Sequence, residues 1–193
     1  MTGMGLAEYI DGKKMNENDY SKILIETKDL IMKKGEFDDW KPLYRNICSR
    51  DESAKYMLWK VTKSEEEAKE RMVRTMAYQH KEKYALLVYQ KVGMEPIGFV
   101  AMREREPMIY EEMGIAIGPE FVGKGYGKQI LNALCMEAKV QGAKEFRASY
   151  REKNLASKAL LNACGFEFDF MSEEKTDPRN GELYLVVNVK KVL

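Results

Sequence analysis

Between Glu111 and Tyr150 the chain reads strand, glycine-rich turn, helix, strand, and this order constrains the fold more than any other feature. Glu111–Ile117 has strand character and ends at Gly118-Pro119. After the turn, Ile130, Leu131, Leu134, Cys135 and Ala138 recur at helical spacing, predicting a helix from about Gly125 to Gln141. Phe146–Tyr150 is the next short strand. A strand that returns through a helix to another strand lies parallel to it, so the middle of the chain implies a parallel pair within a mixed sheet.

The flanking segments supply the rest of that sheet. Ile23–Met32 reads as a first, bent strand, and Phe37–Cys48 carries a helical stripe of Trp40, Leu43, Tyr44 and Ile47. Ser64 and Glu67 form the S-x-x-E pattern that opens a charged helix toward Lys83. Tyr84–Tyr89 and Pro96–Met102, joined around Gly93, predict an antiparallel hairpin. Asn154–Cys164 is a short helix stopped by Gly165. Phe166–Met171 and Leu183–Val189 both alternate strictly, and the polar loop 172–182 makes them a wide hairpin. The fold class is α/β of the α+β kind: a mixed, mostly antiparallel twisted sheet of six or seven strands, with a central parallel pair and helices on both faces. Residues 1–20 are polar and weakly periodic and read as a leader, disordered or covering another subunit. Residues 21–193 form a single domain.

Composition narrows the function. With 32 basic and 31 acidic residues, the chain advertises neither nucleic acid nor a membrane as a partner. No run of 18 apolar residues exists, and MTGMGLAEYIDGKK lacks the apolar centre of a signal peptide, so a cytoplasmic protein is expected. Cys48, Cys135 and Cys164 are odd in number and far apart, which fits free thiols. With one histidine, His80, and no CxxC, no metal is expected.

The stretch from Ile115 to Lys128 has the logic of an anion site. Gly123, Gly125 and Gly127 admit close backbone approach and positive φ, and the following helix aims free N–H groups at the same point. Lys124 and Lys128 add charge. A bare strand-to-helix turn is the alternative. Two other phosphate motifs fail here. Gly118-x-x-x-x-Gly123-Lys124-Gly125 puts glycine where a Walker A loop needs Ser or Thr for magnesium. Gly123-x-Gly125-x-Gly127 is one residue short of the dinucleotide spacing.

The string Phe121-Val-Gly-Lys-Gly-Tyr-Gly127 resembles the acetyl-CoA signature Q/R-x-x-G-x-G/A of the GNAT N-acetyltransferases. Asn154-Leu-Ala-Ser157, continuing to Cys164-Gly165-Phe166, resembles the family's N-x-x-A/S…G-F element. Thr27–Ile31 and Pro96–Phe99 resemble its first and third strands. The N-x-x-S variant and the opening strand are most similar to the branch of ribosomal-protein N-terminal acetyltransferases. The resemblance implies a sheet split between its fourth and fifth strands, with acetyl-CoA in the opening. Pantetheine would pair with backbone at Ile115, Ala116 and Ile117. The diphosphate would rest on amides of Val122, Gly123, Lys124, Gly125, Tyr126, Gly127 and Lys128. Asn154 would orient pantetheine or the attacking group, or simply cap its helix, and Ser157 would lie near the cofactor tail. Val122 replaces the usual Gln or Arg, at a position that works through its backbone.

The activity implied is transfer of an acetyl group to an amine, a small molecule or a protein N-terminus, by direct attack in a ternary complex. Proton removal falls to Glu111 or Glu112, one of which should face the cleft, although a bulge in that strand would reverse simple alternation. Leu161 stands where many relatives carry the tyrosine that protonates the leaving thiolate; Tyr150, Ser157 and Cys164 are the substitutes on offer. Leu161 also supports the alternative of a catalytically silent, CoA-binding sensor or scaffold. Trp40, Trp59, Tyr56 and the loop around Ser172–Gly181 are candidates for shaping the acceptor pocket, Trp40 more as core. An edge strand near the C-terminus is able to pair two subunits as a homodimer.

Overall fold

Apolar residues on adjacent positions of one strand require cover on both faces, and Tyr84–Tyr89 meets that condition: all six are buried. The structure, a computed structural model, describes residues 19–193. Apart from its last two residues, the expected leader lies outside the described residues.

The chain begins with β1 (Leu24–Glu26) and β2 (Leu30–Lys33), followed by two short helices, α1 (Trp40–Leu43) and α2 (Asp51–Ala54), and the long α3 (Glu65–Lys81). Then come β3 (Tyr84–Gln90), β4 (Glu95–Glu106), β5 (Ile109–Ile117), α4 (Tyr126–Val140), β6 (Glu145–Arg151) and α5 (Leu155–Ala163). The end of the chain adds β7 (Glu167–Met171), β8 (Lys175–Thr176), β9 (Leu183–Tyr184) and β10 (Val186–Val192). Eight strands form one sheet in the order β1-β2-β3-β4-β5-β6-β10-β7. Every neighbouring pair is antiparallel except β5 and β6, the parallel pair expected from the strand–helix–strand step.

The strand count exceeds six or seven because Ile23–Met32 is not one bent strand but a hairpin. Thr27 and Asp29 make the turn. The Leu30 amide donates to Thr27 Oγ1 at 3.0 Å, and the Thr27 amide donates to the Leu30 carbonyl at 2.9 Å. Short polar side chains that bond nearby backbone favour turns over continued strand. Gln129 of α4 clamps this turn: its Oε1 accepts from Thr27 Oγ1 and the Asp29 amide, and its Nε2 donates to Asp29 Oδ2.

One core lies between the sheet and α4 and α5, with Leu86, Val88, Met102, Ile130, Leu134 and Phe146 at its centre. The other lies on the opposite face, where Leu43, Ile47 and Met72 cover Leu87 and Tyr89. Ser64 caps α3 as its pattern predicts, Oγ accepting from the Glu67 amide at 3.2 Å. The return bond falls one residue early, from the Lys63 amide to Glu67 Oε2 at 2.8 Å. At the other end of α3, Lys34 Nζ donates to the carbonyls of Gln79, Glu82, Lys83 and Ala85 between 2.7 and 3.1 Å. Burial lowers that ammonium to about 8.

The end of the chain makes the hairpin expected of it, β7 pairing antiparallel with β10. β7 is the edge strand of the sheet, and its Phe168 and Phe170 are exposed. Leu183–Val189 breaks at Leu185, and the loop 172–182 contains β8, which pairs with β9 as a small second sheet. The three cysteines are free and buried. Among the described residues no helix is long and apolar enough to cross a membrane, and no cluster of three metal-ligating side chains occurs.

Candidate active site

The parallel pair is joined for three residues only: Ile109, Tyr110 and Glu111 face Glu145, Phe146 and Arg147. Beyond that point β5 runs on to Ile117 and β6 to Arg151 without pairing to each other. Their outer flanks explain the parting. β5 stays bonded to β4 as far as Ile117, and β6 to β10 along its whole length. Just past the last joined residue, Met113 is inserted as a bulge: Ala101 faces Gly114 and Met102 faces Glu112. A bulge bends its strand and increases the local twist. The result is a cleft of about 840 Å³ running through the sheet. With β1 and β2 counted separately, the parting expected between fourth and fifth strands lies between the fifth and sixth.

The bulge also sets where the carboxylates point. Directly opposed residues of an antiparallel pair share a face. Glu112 therefore shares the face of Met102, which lies in the core under α4, and Glu111 lies on the other. Both line the cleft, because the opening passes between the strands. Glu111 has Arg105 as a partner, Nε to Oε2 at 3.7 Å. Glu112 is half-buried and, among the described residues, has no ion-pair partner. Burial pushes its carboxyl up to about 7; a backbone hydrogen bond at Gly114 opposes this, and the Glu111 charge adds to it.

At the mouth of the cleft, Pro119–Phe121 forms a single 3-10 turn. Gly123 and Gly125 both hold φ of +78°, with open space where a Cβ would stand. Gly125 is the N-cap of α4 and offers no capping side chain, so the first amides of the helix face outward unclaimed by any side-chain cap. Val122, Gly123, Gly125, Tyr126, Gly127 and Lys128 line the cleft with Ile115, Ala116 and Ile117. Lys124 does not; its ammonium sits 5.2 Å from the centre of the Phe121 ring.

Asn154, Ser157 and Tyr150 also line the cleft. Asn154 caps α5, its Oδ1 accepting from the Ser157 amide at 3.1 Å. Leu161 is buried in the wall. Cys164 is buried away from the cleft, and burial raises its thiol. Of the acceptor-pocket candidates, Tyr56 lines the cleft and donates to the Lys153 carbonyl at 3.1 Å. Lys175 is the contribution of the 172–182 loop. Trp40 and Trp59 instead line a second cavity of about 600 Å³ under α3, which meets the first at Met113 and Gly114. Sequence reasoning missed Ser53, Arg151, Asp177 and Arg179, which form the far wall or support it.

A split sheet with an uncapped helix opening onto glycines at positive φ fits a long ligand with a diphosphate: main chain is exposed along the split, and no Cβ blocks the turn. In fold the chain is similar to a GNAT-family acetyltransferase from Bacillus anthracis, with a TM-score of 0.74 at 18% identity over 88% of this chain and 98% of that one. It is likewise similar to the ribosomal-protein alpha-N-acetyltransferase RimL in complex with coenzyme A, with a TM-score of 0.73 at 20% identity over 89% and 98% of the two chains. The microcin C7 self-immunity acetyltransferase MccE, in complex with acetyl-CoA and AMP, aligns with a TM-score of 0.74 at 21% identity over 86% and 94%. In sequence, 109 residues are 32% identical to the uncharacterized N-acetyltransferase YfmK of Bacillus subtilis, covering 56% of this chain and 69% of that protein.

These likenesses define an acyltransferase architecture. The model of the acetyltransferase (GNAT) domain matches residues 29–167, and the chain belongs to that family.

Proposed function

We propose that this acetyltransferase is cytoplasmic and moves the acetyl group of acetyl-CoA to a primary amine by direct attack in a ternary complex. The observation that carries this reading is the parting of β5 and β6 directly beside the Gly123–Gly125 turn. When bound, acetyl-CoA supplies a thioester carbonyl open to nucleophilic attack.

The remaining work belongs to the chain. Main chain at Ile115, Ala116 and Ile117 holds pantetheine, and amides from Val122 to Lys128 hold the diphosphate, with Lys128 adding charge. An ammonium cannot attack, so a proton must leave first. Glu112, with its carboxyl near 7, is partly ionised at neutral pH and takes that proton; Glu111 is the second carboxylate within the same cleft. An α-amine, at about 8, asks less of this base than a lysine-type amine at about 10.4. Leu161 has no proton to give the leaving thiolate, whereas the hydroxyls of Tyr150 and Ser157 line the cleft. Asn154 holds the start of α5 in place beside them.

Calorimetric titration of the folded protein with acetyl-CoA and with CoA tests the cradle, and thiol release with a panel of amines tests transfer. Saturable binding of both, followed by amine-dependent thiol release, is expected. A folded protein that takes up neither ligand defeats the proposal.

A further inference from the structure

Two polar atoms in residues of the far wall are buried without a partner: Arg151 Nη2 and Ser53 Oγ. A buried donor left unpaired is costly, and a charged one more so. The rest of the Arg151 guanidinium is well held. Nη1 donates to Asp177 Oδ2 at 2.8 Å, and the group stacks 3.9 Å from the centre of the Tyr184 ring. Asp177, however, is fully buried and shared. Arg179 also grips it, with Nη2 at 2.7 Å and Nε at 3.0 Å. One carboxylate between two guanidiniums leaves the cluster with a net positive charge. Arg179 further donates to the Ala54 carbonyl at 2.7 Å and the Trp59 carbonyl at 3.2 Å, which ties the cluster to the segment carrying Ser53.

The cleft carries both signs of charge. Glu111 and Glu112 stand on the β5 side, with Lys128 farther along at the start of α4; Arg151 and Lys175 line the other side, as does Glu52, whose carboxylate is 3.8 Å from Arg50. An acceptor that satisfies both walls carries a cation and an anion at once.

We infer that the acceptor is an amine bearing a carboxylate a few atoms away. Its ammonium lies at Glu111 and Glu112, and its carboxylate accepts from Arg151 Nη2 and Ser53 Oγ. This rests on the acetyl-transfer reading and adds the class of acceptor. The carboxylate has two sources: the α-carboxylate of a free amino acid, or an acidic side chain beside the N-terminus of a peptide.

The experiment uses the full chain, acetyl-CoA and matched acceptors: alanine against alaninamide, and an Ala-Asp peptide amide against its Ala-Asn counterpart. The acidic member of at least one pair is expected to show kcat/KM about tenfold higher or more, since a site built to bond a group rejects the analogue that lacks it. The pair that responds identifies the source. The lower amine pKa of alaninamide works against the preference, so it cannot create it. Arg151→Gln should abolish the preference by raising the acceptor KM, with the acetyl-CoA KM unchanged. Ser53→Ala, which leaves the Asp177 cluster intact, should weaken the preference severalfold in the same way. Equal use of both members of both pairs overturns the inference, as does CoA binding with no member acetylated. No CoA binding at all overturns the acetyl-transfer reading itself, and this inference with it.

Discussion

The β5 side of the cleft offers two carboxylates, Glu111 and Glu112, and beyond them mostly main chain; the far side offers guanidinium, hydroxyl and ammonium groups brought from separate segments. The first wall is continuous from Glu111 to Lys128 and owes its shape to glycines and to the start of one helix. The second draws on Ser53, Arg151 and Lys175; Asp177 and Arg179 tie Arg151 to the segment that carries Ser53, and Lys175 comes from β8. A wall made of backbone is indifferent to most side chains and recognises a constant ligand. A wall made of side chains is free to change with the acceptor.

The largest test of this contrast is Glu112→Gln. It should lower kcat by about 100-fold or more, within the range of general-base contributions, and leave acetyl-CoA affinity unchanged in calorimetry. In the parent protein kcat/KM should rise with pH as the carboxyl ionises near 7, and the variant should lose that limb. Stability moves the other way. The folded carboxyl holds its proton above the ordinary value of 4.5, so folding is progressively disfavoured as pH climbs from there to about 7. Glu112→Gln should therefore melt higher than the parent protein at pH values above that window, in a thermal scan.

Next in size is Gly125→Val. A branched residue at φ of +78° is strained by about 1–3 kcal/mol, so the free turn should relax out of this shape and acetyl-CoA affinity should fall by up to about 5- to 150-fold. Initial-rate kinetics should show the acceptor KM unmoved, and a parallel rise in both constants would erase the distinction between the walls. Asp177→Asn should do the converse, raising the acceptor KM severalfold with acetyl-CoA affinity intact. Arg179 and Arg151 hold the Asp177 carboxyl well below its ordinary value of 3.8. The stability it contributes is present above that value and fades as pH falls below it, so the melting gap between parent and variant should narrow in acid. Smallest is Ser64→Ala, remote from both walls. Loss of its cap on α3 should cost about 1 kcal/mol in urea unfolding and change neither KM.

The two walls were unequally legible in the sequence. The strand, turn and helix from Glu111 to Gln141 are contiguous, and their glycines and helical spacing announce what the backbone does there. The parallel pair followed from the same segment. Ile23–Met32 was misread because composition does not reveal that Gln129, about a hundred residues on, secures a turn at Thr27 and Asp29. Phe166–Met171 and Leu183–Val189 were legible as hairpin partners, though alternation marks a face without saying whether anything covers it. Arg151 carried no signal at all: its role depends on Asp177 and Arg179, and neither spacing nor residue type predicts that one carboxylate will lie between them.

Met113 decides, by simple counting along β5, which face each glutamate takes. Counting back from Ile115 by twos reaches Glu111, yet the extra residue places Glu112 on the Ile115 face instead. Deleting Met113 would leave both glutamates on their present faces, because the strand would then alternate in step with β4; straightening the bulge with Met113 kept would exchange them while every glycine of the turn stayed where it is. Which of the two carboxylates shares the Ile115 face is thus set by the bulge and not by the identity of either residue, so a change that abolished the bulge would present the other one without touching the turn.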